Sequence, residues 1–440
     1  MEKRVFSNAK WIIICRIGQS LLQLIVGMIT ARYLGPSNYG LINYAASVVA
    51  FVLPFVQLGM PSTLVQELID TPEREGEIMG TAMLMSVVSG MACLILTISF
   101  VFVANRGEQI TLIVCTLYSL SLLFRALELM NYWFQYKLKS KFPSIIMLGV
   151  SIVISIYKVY IVVTAKSIYW FAIISTIEFV LSGFAMVIIY SRMKTRMFKF
   201  TFPMAKRLFR RSKYFILAAA MVTVFQNTDH IMLKMMVGDR QNGFYTAAIT
   251  CATIFHFLYF AIVDSVRPVI LEKKKKHSEE YEENLAGLYS IVIYAAVLQA
   301  IGFTVLAKPI VVCLYGIEYL ETVSVLRIVV WQIAFSHMGT VRNIWILAEG
   351  KESMVWKINL TGAFLNIVLN AVLIPYFGAR GAAFASLLTQ IFTNCILSMI
   401  LPALEANRKL FLVGANPRSA IALVKKVLST EIFGRMKNRS

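Results

Sequence analysis

The sequence is poor in the residues that build metal and redox sites. Its 440 residues include only four histidines and six cysteines. The histidines are scattered, and the cysteines form no C-x-x-C pair and lie within or beside apolar stretches, as small packing residues do. We therefore expect no metal and no cofactor.

Charged residues are also scarce. They make up 15% of the chain against 58% hydrophobic residues, whereas soluble domains run near a quarter charged. Apolar stretches recur along the chain, each long enough to cross a hydrocarbon core of ~30 Å, and lipid cannot satisfy an open backbone. The sequence therefore predicts an all-α integral membrane protein with about twelve transmembrane helices. The predicted spans are 11–31, 41–59, 80–103, 109–130, 143–164, 168–190, 214–236, 245–266, 288–314, 325–347, 354–374 and 381–402.

Basic residues exceed acidic ones, 43 to 23, for a net charge of +20. Most lie in the two tails and in the loops on the same side as the tails. The opposite loops hold only five, namely Arg32, Arg106, Lys166, Arg240 and Arg380. This asymmetry predicts that both termini are cytoplasmic. The basic residues on that side match the anionic lipids of the inner leaflet, which explains the net charge. We therefore expect no nucleic-acid partner.

The longest connection divides the predicted spans into two sets of six. We expect an N-terminal lobe at 1–190, a basic cytoplasmic linker at 191–213, a C-terminal lobe at 214–403 and a basic cytoplasmic tail at 404–440. The linker is partly amphipathic, which is typical of a helix lying on the membrane surface. The tail is either another such helix or a frayed end.

A repeat relates the two halves. Residues 10–40 align without gaps on residues 213–243, and both copies end in a G-x4-G sequence. Chance similarity between apolar segments is the alternative. An offset that spans six helices makes the repeat parallel, with an axis along the membrane normal. Gly35 and Gly40 predict a tight turn between the first two helices, and Gly238 and Gly243 predict its counterpart.

Polar residues inside the predicted spans are expensive and are candidates for function. Several fall on shared helix faces, so we predict a water-filled cavity lined by these side chains. The candidates are Arg16, Gln19, Gln23, Arg125, Lys158, Gln226, Asp229, Lys234, Arg342 and Asn366.

Each candidate has a structural alternative. Arg16 and Arg342 could extend to the cytoplasmic surface. Arg125 could pair with Glu128, which we favour, and Lys158 with Glu178. The asparagine could simply bond between helices.

Basic candidates outnumber acidic ones, which favours an anionic cargo and above all a phosphate. The sequence contains no Walker motif and no nucleophile elbow. We therefore expect a transporter with no enzymatic activity, driven by an ion gradient, the membrane potential or the downhill movement of its cargo.

Four segments carry a resemblance to a known family. They are "ARYLGPSNYG", "NYWFQYKLKSKF", "DHIMLKMMVGDRQNGFYTAA" and "NIVLNAVLIPYFGARGAAFAS", in this order along the chain. Together they resemble the Wzx-type polysaccharide-biosynthesis flippases, which export O-antigen and capsule repeat units. These flippases share a superfamily with multidrug-extrusion (MATE) exporters and lipid II flippases.

The resemblance implies two parallel six-helix lobes around a central cavity in a bacterial inner membrane. It implies an undecaprenyl-diphosphate-linked oligosaccharide as cargo, moved to the outer leaflet by alternating access. Arg16 looks like the helix-1 arginine with which lipid II flippases hold the diphosphate. A polysaccharide polymerase and glycosyltransferases are candidate partners. The alternatives are a cation-coupled small-molecule exporter of the MATE type and a non-transporting scaffold for polysaccharide enzymes.

Overall fold

A computed structural model describes residues 2–193, 197–276, 280–418 and 420–421, with the backbone alone for 2–14, 16 and 261. All regular structure in these ranges is helical. This confirms the predicted all-α membrane fold. The helices are α1 (Glu2–Val56), α2 (Leu64–Asp70), α3 (Glu75–Ala104), α4 (Gln109–Ser119), α5 (Ser121–Phe124), α6 (Met130–Tyr136), α7 (Lys141–Val163), α8 (Ile168–Ala172), α9 (Ile174–Arg192), α10 (Phe202–Val237), α11 (Asp239–Ala252), α12 (His256–Lys275), α13 (Glu280–Tyr315), α14 (Thr322–Ala348), α15 (Ser353–Phe377), α16 (Ala379–Ile391), α17 (Leu397–Ile400) and α18 (Glu405–Ala415).

Each predicted span coincides with a helical segment of the described chain. By length and composition, nine helices there can cross a membrane, or ten if the bent pair α11–α12 forms one span. This count is below the twelve predicted spans for two further reasons. The first two predicted spans both lie in α1, which is counted once, and α14 is not among the nine helices.

The predicted turn between the first two spans falls inside α1, where two helical segments meet at a kink. Gly35, at this kink, has φ 67° and ψ 171°. Gly238, its counterpart in the repeat, has φ 94° and ψ 176° and separates α10 from α11. Only glycine adopts such dihedrals readily. The matching geometry supports the repeat.

The two copies of the repeat also touch reciprocally. A Cβ at Gly40 would overlap the carbonyl oxygen of Asp239, and a Cβ at Gly243 would overlap that of Pro36. Each glycine thus approaches one residue of the other copy, and these two residues, Pro36 and Asp239, occupy equivalent positions in the repeat. The Asn242 side-chain amide donates to the Gly40 carbonyl oxygen over 2.8 Å. Backbones this close leave no room for larger residues.

Contacts divide the chain into two compact units, Met1–Gly243 and Phe244–Ser440. The division falls after the seventh predicted span rather than before it, and the predicted lobe boundaries stay a prediction. Trp133 and Phe134, edge to face at 5.0 Å, belong to one apolar cluster of the first unit. Tyr289 and Trp345 are among the fully buried residues of the second.

The predicted surface helix in the linker stays a prediction. Residues 202–213 form the first turns of α10, which continues unbroken to Val237. Pro203 lies in the first turn, where its missing N–H costs no hydrogen bond. Residues 194–196 of the predicted linker lie outside the described residues. Residues 422–440, which include most of the predicted interfacial segment of the tail, lie outside them as well.

Candidate functional site: a polar cavity in the first unit

Polar side chains from several helices of the first unit line one cavity. It contains about 420 Å³ of empty space, part of it open to the surroundings. Its polar lining consists of Gln19, Gln23, Glu128, Asn131, Ser151, Glu178 and Ser182. Gln19 and Gln23 are one turn apart on α1, so the spacing that suggested a shared face brings both to the cavity. The side chain of Arg16, on the preceding turn, lies outside the described residues.

A change of helix type shapes one wall of the cavity. Residues Arg125–Leu129 form a 3-10 helix between α5 and α6. At three residues per turn, side chains at i and i+3 lie directly above one another. The guanidinium of Arg125 therefore meets the Glu128 carboxylate at 3.0 Å, and it also lies 3.6 Å from the centroid of the Phe179 ring. The pairing that we favoured from the sequence is present.

Lys158 on α7 and Glu178 on α9 contribute a second pair of opposite charges. Glu178 interacts electrostatically with Lys158, Arg125 and Glu128, although no ion pair within 4 Å joins it to Lys158 in the described structure. Among the described residues, the charged side chains that line the cavity are thus the carboxylates of Glu128 and Glu178, while Arg125 and Lys158 interact with them from outside the lining. The predicted surplus of positive charge stays a prediction, and in this cavity it would have to come from Arg16.

The structure places Lys234 at the far end of α10, in an ion-pair cluster. Its ammonium lies 2.9 Å from Glu108 and 2.6 Å from Asp239, and only 7% of its side chain is exposed. Partial burial opposes ionisation of Glu108, but hydrogen bonds from Lys234 and Thr111 hold the pKa of its carboxyl below the usual range. The charge of Lys234 is thus already neutralised. Both carboxylates lie just outside the predicted apolar spans, so the search for polar residues inside those spans did not single them out.

The other candidates on α10 differ in exposure. Asp229 is buried and interacts electrostatically with His230, while Gln226 is exposed. Neither is among the residues that line the cavity of the first unit.

The two candidates of the second unit make buried hydrogen bonds. Arg342 is 4% exposed, donates to the Thr393 carbonyl oxygen at 2.5 Å and does not extend to a surface. Asn366 on α15 donates to the Ser386 hydroxyl on α16 over 3.0 Å. These bonds tie neighbouring helices together, as the structural alternative for the asparagine predicted.

A second ion-pair cluster joins α2 to the first turns of α10 within the first unit. Glu67 on α2 is fully buried and pairs with Arg207, at 2.5 Å, and with Arg211. Arg211 also reaches Asp70 at 3.0 Å, and hydrogen bonds from Gln66 and Arg211 hold the pKa of the Asp70 carboxyl below its usual range. The basic residues of the linker were attributed to membrane lipids, and these carboxylate partners were not predicted from the sequence.

Apolar helices that enclose a polar cavity define the class of this protein: it is a multi-pass membrane protein built like a transporter. A family model described as "Polysaccharide biosynthesis protein" matches residues 5–274, more than half of the chain. The chain belongs to this family, as its sequence motifs suggested.

Two curated relatives and two solved structures resemble the chain. The capsular polysaccharide biosynthesis protein CapF of Staphylococcus aureus is 21% identical over 87% of this chain and 96% of its own length. The probable low-salt glycan biosynthesis flippase Agl15 of Haloferax volcanii is 22% identical over 45% of this chain and 42% of its own.

The structural likenesses concern the fold. The lipid II flippase MurJ, in an inward closed conformation, gives a TM-score of 0.71 at 18% identity and covers 97% of this chain and 95% of its own. An inward-facing multidrug resistance MATE family transporter gives 0.65 at 13% identity, over 93% and 96%. They confirm the predicted MATE-like fold.

Proposed function

We propose that the protein is a flippase for a lipid-linked oligosaccharide, an undecaprenyl-diphosphate-linked repeat unit. It moves this cargo from the cytoplasmic to the outer leaflet of a bacterial inner membrane by alternating access. The observation that carries the proposal is a polar cavity inside the apolar helices of a chain that belongs to a polysaccharide biosynthesis family. The names of CapF and Agl15, one for capsular polysaccharide and one for a glycan flippase, support it.

The lining of the cavity suits a sugar. Amides and hydroxyls such as those of Gln19, Gln23, Asn131 and Ser151 both donate and accept hydrogen bonds, as sugar hydroxyls do. Carboxylates add strong acceptors for the same groups. We assign these side chains to the oligosaccharide, which needs a water-like path across the membrane, while the polyprenyl chain remains in lipid.

The diphosphate requires cations. We assign it to Arg16, Arg125 and Lys158, since Arg16 precedes Gln19 by one turn on α1 and the other two lie beside the same cavity. A phosphate can replace the Glu128 carboxylate on Arg125, because both are oxyanions with matching geometry for a guanidinium. Lys234 becomes a phosphate ligand only when it releases its carboxylates. Gln226, Asp229, Arg342 and Asn366 stay predictions.

A leaflet assay tests the proposal. Purified protein is reconstituted with a fluorescent lipid-diphosphate oligosaccharide, and an impermeant glycosidase reports the fraction in the outer leaflet. We expect Arg16→Gln and Gln23→Leu each to slow movement at least ~10-fold, about the cost of one charge-assisted or buried hydrogen bond. Lys166→Gln, an exposed lysine in a predicted outer loop, is the matched control. Wild-type protein that leaves the cargo in its original leaflet refutes the flippase.

One observation favours a second function. The carboxylates of Glu128 and Glu178 both line the cavity, as would suit an exporter of organic cations coupled to an inward cation flux. This alternative predicts that Glu178→Gln abolishes dye efflux from cells while Arg16→Gln does not. The flippase predicts no dye efflux above that of cells without the protein.

A further inference from the structure

Two histidines of the second unit face one another across neighbouring helices. His256 begins α12, His337 lies in the middle of α14, and their ring centroids are 4.9 Å apart. The ring of Tyr259 stacks on His337 at 3.8 Å with an angle of 13° between the planes. Only 5% of the His337 surface is exposed. The three rings therefore form a packed group inside the unit.

Each imidazole has one nitrogen without a partner. Among the described residues, neither Nδ1 of His256 nor Nε2 of His337 has a hydrogen bond, and both atoms are buried. An unsatisfied buried polar atom costs about 1–3 kcal/mol, so it calls for a ligand or a functional reason. A small cleft, part of it open to the surroundings, adjoins His337 and Tyr259, and Thr340 lines it as well.

The surroundings exclude most ligands. No third histidine, cysteine or carboxylate of the described chain joins the pair in a group that could hold a metal. The charged groups on α14 are Arg327 and Arg342. Arg327 donates to the Thr304 carbonyl oxygen, and the guanidinium of Arg342 is bonded to the Thr393 carbonyl oxygen. On α13, the Tyr289 hydroxyl is bonded to Asn407 at 2.9 Å. On α12, Asp264 is exposed. Within the described structure, His256 is the ionisable group that acts electrostatically on His337.

A proton fits this geometry. One imidazolium is stabilised by the face of the Tyr259 ring, which stacks on His337. Two at this distance repel each other, so the pair gains one charge and not two. Histidine is also the side chain whose charge changes near physiological pH.

We propose that His256 and His337 together bind one proton and that this site supplies the coupling ion of transport. The binding of the proton stands on the geometry of the second unit alone. Its use as coupling ion rests on the proposed function, with one proton moved per cargo.

A titration of the full-length protein tests the site without any cargo. The four histidines are labelled with ¹⁵N, and their shifts are followed between about pH 5 and pH 8 in nanodiscs. We expect His256 and His337 to titrate as a coupled pair. His256→Gln, at a half-buried position that tolerates change, should move the transition of His337 by about one pH unit or more. His230→Gln, in the first unit, is the matched control and should leave the pair unchanged. Independent titration of the two rings, or none, overturns the site.

The coupling is tested in liposomes with a pH difference of about two units and no membrane potential. One proton per cargo predicts a leaflet ratio near 100-fold, since each tenfold in an equilibrium is about 1.4 kcal/mol. His256→Gln and His337→Gln should each reduce the ratio reached with the pH difference to about one. An unchanged ratio in both variants overturns the coupling role. Absence of movement by the wild type refutes the proposed function, and the titration then decides the site.

Discussion

Replacing Asp239 with asparagine probes the ion-pair cluster at the end of α10. The Asp239 carboxylate lies 2.6 Å from the Lys234 ammonium, and the two side chains are 19% and 7% exposed. Glu108 lies 2.9 Å from the same ammonium but is 49% exposed. The two carboxylates therefore differ in how much water screens them.

The expected costs follow from this difference. Breaking a buried ion pair costs about 3–5 kcal/mol, but Lys234 would keep Glu108 as a partner and asparagine still accepts a hydrogen bond, so we expect about 2 kcal/mol for Asp239→Asn. The half-exposed Glu108 should lose only about 0.5 kcal/mol as Glu108→Gln. Lys234→Met leaves two carboxylates without a cation and should cost the most, about 3 kcal/mol.

Equilibrium unfolding in mixed micelles measures the free energy of each variant. A double-mutant cycle between Lys234 and Asp239 isolates the energy of their pairing, which we expect to exceed 1 kcal/mol by a clear margin. The reasoning fails if Glu108→Gln costs as much as Asp239→Asn, or if the cycle gives a pairing energy near zero. Either result would mean that burial does not decide the strength of this cluster.

Two further predictions concern the same end of the first unit. The depressed pKa of Glu108 means that its stabilisation is complete above its unfolded-state pKa, about 4.3, and is lost as the pH falls below that value. The gap between wild type and Glu108→Gln in the denaturation midpoint should therefore narrow progressively as the pH falls through the depressed pKa of Glu108 in the folded protein. Gly40→Ala should lower the yield of folded protein and cost about 2 kcal/mol or more, because its Cβ overlaps the Asp239 carbonyl. Gly27→Ala, whose Cβ would meet nothing within 4 Å, should be neutral or slightly stabilising, and a matching loss in both would contradict the close approach.

The course of the helices was largely predictable because apolar length decides which segments can span a membrane. What the sequence could not decide was how they join. A Gly-Pro pair marks a break between helical segments, but it does not give the dihedrals that Gly35 adopts there. Likewise the basic residues before Lys213 do not show that the helix beginning at Phe202 continues without a break to Val237.

The cavity was partly predictable for a similar reason. Helical spacing places Gln19 and Gln23 on one face, and that face does line the cavity. Glu128 and Glu178 appeared in the sequence only as partners that neutralise a cation, since spacing along a helix does not say which helix lies opposite. The 3-10 turn at Arg125–Leu129, which aligns Arg125 with Glu128, has no sequence pattern that distinguishes it from an α-helix. The contact of His256 with His337 depends on how α12 packs against α14, which spacing within one helix does not encode.

The ion pairs bear on how an anionic cargo could be held and released. Of the cations that the sequence suggested for a phosphate, Arg125 and Lys234 already face carboxylates of the chain. A diphosphate that binds them must displace one oxyanion with another, so its net gain is smaller than that of a phosphate meeting a free arginine. For a flippase this is an advantage, because a cargo bound too tightly in one leaflet is not released in the other. The carboxylates would then act as competitors that reclaim their cations when the cargo leaves. This predicts that Glu128→Gln strengthens cargo binding and slows release, an opposite effect to the loss expected for Arg125→Gln.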